Sequence, residues 1–330
     1  MNSTIRRASW RAFLTTAVIA MFGLGLSAPV HAQDPPDFKT SWGSKGTGNG
    51  QFESPFDLAT DSGGNVYVTD VSLDRVQKFN KDGIFIKKWG ISGEAADPLQ
   101  EGHLLSAPMG ISIDKSNRLV LGDAHNDRVK IQDTNGNLIK MWGGWTPNLL
   151  PGKFYVPRSV TQDPFGNIYV WDRWERIQRF TADGSFVLQW MMPDDFGLGG
   201  SGTNGASITS DPGGNIFATS CESNRVIKYS PLGFILDQWG TKGSGAGRFD
   251  CPKGISSDRK GNVYVVDGNN SRVQMFAPDH KFLTQWSSTG KPGGQFVAPH
   301  GIHVDGRDNV FITDTGTDKV HKFSFDPPLP

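Results

Sequence analysis

Pro252-Lys-Gly-Ile-Ser-Ser-Asp258 leads through a Gly-Asn turn into Asn262-Val-Tyr-Val-Val-Asp267, then Arg272-Val-Gln-Met-Phe276, then Phe282-Leu-Thr-Gln-Trp286. The runs are short, rich in β-branched and aromatic residues, and bounded by Gly, Asn, Asp or Pro. That is the chemistry of strands joined by tight turns. The same unit recurs along the chain. Its opening reads Pro55-Phe-Asp-Leu-Ala-Thr-Asp61, Pro108-Met-Gly-Ile-Ser-Ile-Asp114, Pro157-Arg-Ser-Val-Thr-Gln-Asp163, Gly205-Ala-Ser-Ile-Thr-Ser-Asp211 and Pro299-His-Gly-Ile-His-Val-Asp305. Successive openings are 53, 49, 48, 47 and 47 residues apart. Four short strands repeating at that period are propeller blades. Each unit closes near a tryptophan (Trp89, Trp142, Trp190, Trp239, Trp286), except the sixth, which runs out after Phe323. Phe38-Lys-Thr-Ser-Trp42 matches the missing piece. The expectation is an all-β, six-bladed propeller of four-stranded blades, closed by residues 38–43 completing the last blade. Closure of this kind removes free sheet edges.

Composition agrees. The 330 residues carry 33 Lys+Arg and 33 Asp+Glu, with 41 Gly and only 2 Cys. Balanced charge without a basic block speaks against a nucleic-acid partner. Two cysteines are too few for a disulfide scaffold or a multi-cysteine zinc fold. Arg6, Arg7 and Arg11 precede an apolar run from Ala12 to Leu26 and a small-x-small step, Val30-His-Ala32. That pattern reads as a cleaved export signal, residues 1–32, and the run is short for a membrane span. The expected organisation is signal 1–32, linker 33–37, one propeller 38–325 and a tail 326–330. The expected location is periplasmic or secreted, with no membrane span after cleavage. The chain is expected to be a monomer.

The motifs Pro-x-Gly-Ile-x-x-Asp, Gly-Asn-Val-Tyr-Val-x-Asp and Asn/Ser-x-Arg-Val-Gln-x-Phe resemble NHL repeats over residues 38–325. Within that class the chain is similar to the catalytic domain of peptidyl-α-hydroxyglycine α-amidating lyase. The likeness shows in Val68-Thr-Asp-Val-Ser-Leu-Asp74, in Trp171-Asp-Arg173 with Arg176-Ile-Gln178, and in Pro299-His-Gly301. The resemblance implies a lyase reaction at a zinc held by histidines from three Pro-His steps. Here that step survives once, at His300. Arg173 matches the family's arginine in its Asp-Arg step.

In a propeller the link into strand 1 and the loop between strands 2 and 3 share one face. The residues after the proline are therefore expected around one channel mouth: Phe56, Met109, Arg158, Ala206, Lys253 and His300. Residues that recur in every blade read as structural: the loop aspartates, the strand 3 arginines and the closing tryptophans. Those that break the repeat are the candidates. Blade 3 has a strand 2–3 loop one residue shorter and carries Arg173 and Trp174, with Trp145, Tyr155 and Arg158 expected nearby. Guanidinium groups with aromatic rings suit a carboxylate, phosphate or sugar. His300 and Arg173 are the candidate catalytic pair, and His300 the candidate metal ligand. His303, three residues on, is expected to point the opposite way. His280 and His321 read as surface. His103 and His125 are the candidates to join His300 in a metal site. Cys221 and Cys251, in neighbouring blades on the same face, are expected to pair as a disulfide. Channel carbonyls beside Asp57 would suit calcium.

Function reads three ways from these residues. The first is a binding module holding a polar or anionic small molecule, or a peptide end, at Arg158, Trp174, Lys253, Tyr155, Trp145 and Met109. The second is a metal-dependent lyase or hydrolase related to the amidating lyase. The third is an interaction scaffold with a protein partner in the cell envelope.

Overall fold

The structure is a computed structural model and describes residues 33–92, 104–193, 207–287, 296–326 and 328–329. The proposed signal segment, His103 and Ala206 lie outside these residues.

Strand-forming runs pair locally, because each is joined to the next by a turn too short for any other arrangement. Pro55–Thr60, Val66–Asp70, Arg75–Phe79 and Phe85–Trp89 form the first antiparallel sheet, in that order. Four further sheets repeat this meander, with first strands Pro108–Ile113, Pro157–Gln162, Ile208–Ser210 and Pro252–Ser257. The sixth is composite. Pro299–Val304, Asn309–Asp314 and Lys319–Ser324 are completed by Asp37–Trp42, with Trp42 opposite Val320. The chain is thus a six-bladed propeller whose N-terminal strand closes the ring. Among the described residues helix is confined to two single 3₁₀ turns, Val71–Leu73 and Ala124–Asn126.

First strands line the channel and pack on one another around it. This explains the recurring Pro-x-Gly. A Cβ on Gly301 would lie 2.6 Å from the Phe56 carbonyl oxygen, and one on Gly110 2.7 Å from Ser159 Cα. Both are closer than atoms can approach, so the backbones can touch only where a side chain is absent. Three strand 2 threonines then strap neighbouring blades together. The hydroxyl of Thr69 donates to the Met109 carbonyl (2.8 Å), that of Thr219 to Lys253 (2.5 Å) and that of Thr313 to Phe56 (2.8 Å). The last strap crosses the seam between blades 6 and 1.

The core lies between blades. The closing tryptophans sit under the outer hairpin of the next blade, where glycines Gly83, Gly136, Gly184 and Gly233 lie flat on Trp42, Trp89, Trp142 and Trp190. Blade 6 takes its outer strand from the N-terminus and so has no such hairpin. Leu329, in the segment expected to be a tail, supplies a substitute: it is buried in the cluster containing Trp286, Phe323 and Phe325. His321 is also not on the surface. It is 3% exposed, at the strand 3 position where other blades bury Gln77, Gln178 and Gln274. Those glutamines hold the preceding inter-blade loop, as Gln77 does by accepting from Gly50 N–H and donating to Gln51 O.

Candidate ligand site at the channel mouth

Strand 2–3 loops are held against the residues that precede each first strand. Arg173 N–H donates to Tyr155 O (2.8 Å), Gly268 N–H to Cys251 O (3.1 Å) and Thr315 N–H to Ala298 O (3.1 Å). The loop aspartates tighten the same junction. Asp314 accepts from the N–H groups of Val297 and Ala298, and Asp70 from those of Glu53 and Ser54. Each also pairs with a strand 3 cation in blades 1, 2, 3 and 5, as Asp172 does with Arg176 at 2.8 Å. These recurrent pairs are buried and hold loops. They leave the exceptional residues to form the rim.

Blade 3 brings its exceptions together. The Arg173 guanidinium lies over the Tyr155 ring, 5.6 Å from its centre, and Tyr155 packs against Trp174 with ring centres 5.1 Å apart. Arg158 is buried and lies over Trp171 at 5.7 Å. Burial lowers the Arg158 pKa, the Arg173 charge adds to that, and Glu175 opposes it. Two guanidinium groups are therefore close enough to repel in a partly desolvated place. Asp172 beneath them is raised to about 6 by burial against the pull of Arg176. Trp145 is not part of this stack: it stands 60% exposed.

One residue here escaped the sequence reading. Glu175 takes a left-handed backbone, φ 56°, at the position before strand 3. Its counterparts Asp74, Asp127 and Asn224 share that backbone and reach across to the next blade, accepting from Ala107, Val156 and Cys251 N–H. Glu175 carries a longer side chain, and its carboxyl comes into the field of Arg158, Glu222, Asp172 and Arg173. Burial pushes it up to about 7. The signal in the sequence is a Glu where the other blades carry the shorter Asp, Asn or Ser (Asp74, Asp127, Asn224, Ser271, Asp318), easily taken for a turn residue.

Across the mouth, the His300 ring lies 3.8 Å from that of Phe56, with Nδ1 3.2 Å from Phe56 O. Burial lowers its pKa to about 3, and Lys253 and Arg158 push in the same direction. His300 is thus a neutral imidazole, with Nδ1–H donating to that carbonyl. Lys253 is itself lowered by burial, with Asp314 opposing. Its stem runs over Gly268, where a Cβ would come within 2.8 Å of Lys253 Cε. Other blades carry a side chain there, among them Arg173 and Cys221, so the glycine makes room for the lysine. Cys221 and Cys251 are joined by a disulfide, tying the blade 4 loop to the start of blade 5. Met109 is half-buried on the same ring, its carbonyl fixed by Thr69.

The described residues do not fit a zinc site. Among the described residues no three His, Cys, Asp or Glu side chains gather as a metal would require. His125 belongs to blade 2, its N–H bound to Ser106 O. Asp57 does not fit a calcium site either. Its two carboxylate oxygens already accept from Leu58 and Ile111 N–H, and burial raises it to about 7.

Farther down the channel, a polar cavity of about 190 Å³ is lined by Asp57, Thr161, Gln162, Ser256 and His303 among others. His303 was expected to face away from His300 by strict alternation. A bulge in the first strand of blade 6, between Pro299 and Ile302, adds a residue and breaks that alternation. His303 lines the channel, Nε2 2.9 Å from Thr60 Oγ1. A wider recess of about 520 Å³ opens at the other end among Asp61, Asp211, Asp258, Arg259 and Asp305. Neither space is lined by Arg158, Lys253 or His300.

This geometry defines a class: a six-bladed propeller of four-stranded blades, with a rim of departures from the repeat at one channel mouth. Residues 249–276 match the NHL repeat family model. Peptidyl-glycine alpha-amidating monooxygenase A of Xenopus laevis is 30% identical over 202 residues, 58% of this chain and 20% of that protein. The Mus musculus monooxygenase is 30% identical over 162 residues, 46% of this chain and 16% of that protein. The chain thus matches about a fifth or less of these relatives' length. Among solved structures, virginiamycin B lyase from Staphylococcus aureus superposes with TM-score 0.58 at 15% identity, covering 87% of this chain and 95% of that one. A gluconolactonase from Xanthomonas campestris gives 0.59 at 16%, covering 92% and 99%. At such identities the likeness to both is one of fold.

Proposed function

We propose that this chain is an exported binding propeller whose mouth holds an anionic small molecule or the carboxylate end of a peptide. The observation that carries the reading is the convergence of Arg158, Arg173 and Lys253 on one rim, two of them desolvated. A desolvated cation costs free energy that an arriving anion repays through paired hydrogen bonds. Tyr155 and Trp174 offer a ring wall to the body of the ligand. His300, neutral with its Nδ1 hydrogen engaged, offers Nε2 as an acceptor. A lyase reading takes support from the names of the relatives. It would require metal ligands that the described residues do not supply, so binding leads.

The test is calorimetric titration with peptides ending in a free carboxylate, beside the same peptides amidated. Free acids are expected to bind and amides to bind at least tenfold more weakly, with Arg173→Ala losing the difference. Equal binding of both forms would sink the anion reading. No binding of either would favour the scaffold.

A further inference from the structure

The channel holds hydrogen-bonding capacity that the fold does not use. Two residues before each turn aspartate, blades 2 to 6 carry Ser112, Thr161, Thr209, Ser256 and His303, and blade 1 carries Ala59. Equivalent positions of successive blades lie at one level of the channel. All five polar residues line the cavity of about 190 Å³. At the next position along, hydroxyls are spent between blades: Ser210 Oγ donates to Gln162 O and Ser257 Oγ to Ser210 O, each at 2.6 Å. The ring above them keeps more in reserve. Ser112 Oγ and Gln162 Nε2 are buried in the cavity wall with no partner among the described residues. Ser256 Oγ accepts from Val304 N–H at 3.1 Å and keeps its own hydrogen to donate. His303 engages Thr60 through Nε2, which leaves Nδ1 to the cavity. Buried polar groups are costly to leave unsatisfied, so such a wall calls for a polar guest or for water.

The wall also selects against charge. Among the described residues no Lys or Arg lines the cavity, so an anion meets no counter-charge there. Its one carboxyl, Asp57, already accepts backbone N–H groups at both oxygens, so a cation is served no better. The volume is that of about six waters, or of a polyol of about four carbons. The way in is from the face opposite the rim, because the cavity and the recess of about 520 Å³ share Ser210, Ser257, Val304 and His303. We propose that the channel is a second binding site, for a small uncharged polyol that enters from the face opposite the arginine rim. The ring of hydroxyls meets such a guest with donors and acceptors alike. The His303 imidazole donates or accepts according to its tautomer, and the Thr60 hydroxyl reverses its own bond to match. This site stands apart from the anion reading, since neither Arg158, Lys253 nor His300 lines it.

Erythritol is the probe, and 1,2-dimethoxyethane, which accepts hydrogen bonds but cannot donate them, is the control. The readout is the long-range proton–nitrogen NMR spectrum of protein labelled with ¹⁵N at histidine, the His303 ring being assigned from His303→Gln. Erythritol is expected to shift the His303 ring signals saturably, with a dissociation constant on the order of 1–10 mM, and to leave His280 unmoved. The control should move neither. Ser112→Ala removes an unpartnered hydroxyl, and Thr209→Val replaces a half-buried hydroxyl by a methyl group of the same shape, so both should fold as the wild type does. Each is expected to weaken erythritol binding by roughly three- to tenfold. No His303 shift at about 100 mM erythritol overturns the proposal and makes this a channel for water alone. A shift matched by the control, or an affinity unchanged in both variants, overturns it equally, because binding then owes nothing to the hydroxyl ring. None of these outcomes bears on the anion reading, which the carboxylate peptides test at the rim.

Discussion

His303 shows how one residue of register decides what a side chain can do. Counted by alternation it leaves the face of His300; with the bulge at Pro299 to Ile302 it lines the channel against Thr60. Burial lowers its pKa to about 4, well below the value near 6.5 of an unfolded histidine. The folded state therefore favours the neutral ring. That contribution is complete above pH 6.5 and is lost as pH falls from 6.5 toward 4, because the unfolded chain takes up the proton first. At pH 5 the full shift would be worth about 2 kcal/mol, and partial access to the channel reduces this to about 1 kcal/mol. His303→Gln cannot take up that proton. The stability advantage of the wild type over this variant should shrink by about 1 kcal/mol between pH 7 and pH 5 in urea unfolding. An unchanged difference would mean that His303 is solvated. The sequence made Arg158 and Arg173 visible because they break a repeat by residue type. Glu175 and His303 were hidden because what sets them apart is backbone geometry, a left-handed φ in one case and a bulge in the other.

At the level of elements, the repeat made strands and turns legible while the contacts between blades were not. Each closing tryptophan could be read as packing, but its partner lies about one repeat away in sequence. Four hairpins meet it with a glycine; the fifth does not. His280, φ 65°, lies flat on Trp239 with ring centres 4.1 Å apart and 10° between planes, and its Nδ1 is 2.6 Å from Asp237. Histidine here exchanges the freedom of glycine for a stacked ring. His280→Gly should therefore be close to neutral, because relief of the left-handed backbone offsets the lost stack. His280→Ala loses the ring and keeps the strain, so it should cost about 1–2 kcal/mol. Denaturant unfolding of the two variants checks this. An alanine variant as stable as the glycine one would show that the turn bears no strain.

On the scale of the whole molecule, closure creates a deficit that the chain ends make good. Velcro-like pairing of Asp37–Trp42 with Lys319–Ser324 was legible, because the sixth unit lacked its closing Trp and the first residues supplied one. Its cost was not. A blade whose outer strand arrives from the other terminus has no outer hairpin to lie over Trp286. Leu329 packs instead into the buried cluster that contains Trp286, and Lys260 Nζ holds the Leu329 carbonyl. The two ends thus do different work and should fail differently. Leu329→Ala removes one buried side chain from an otherwise closed ring and should cost about 2 kcal/mol, lowering Tm by several degrees with the elution volume of the wild type unchanged. Removing residues through Gly43 instead bares the backbone of Lys319–Ser324 along its full length and uncovers Phe311 and Phe79, which Trp42 contacts. An open strand edge of that kind is a template for other chains. That variant should aggregate on size-exclusion chromatography at concentrations where Leu329→Ala does not. A monomeric, cooperatively unfolding truncation would mean that the straps from Thr313 to Phe56 and the close packing of Gly301 hold the ring without its sixth outer strand.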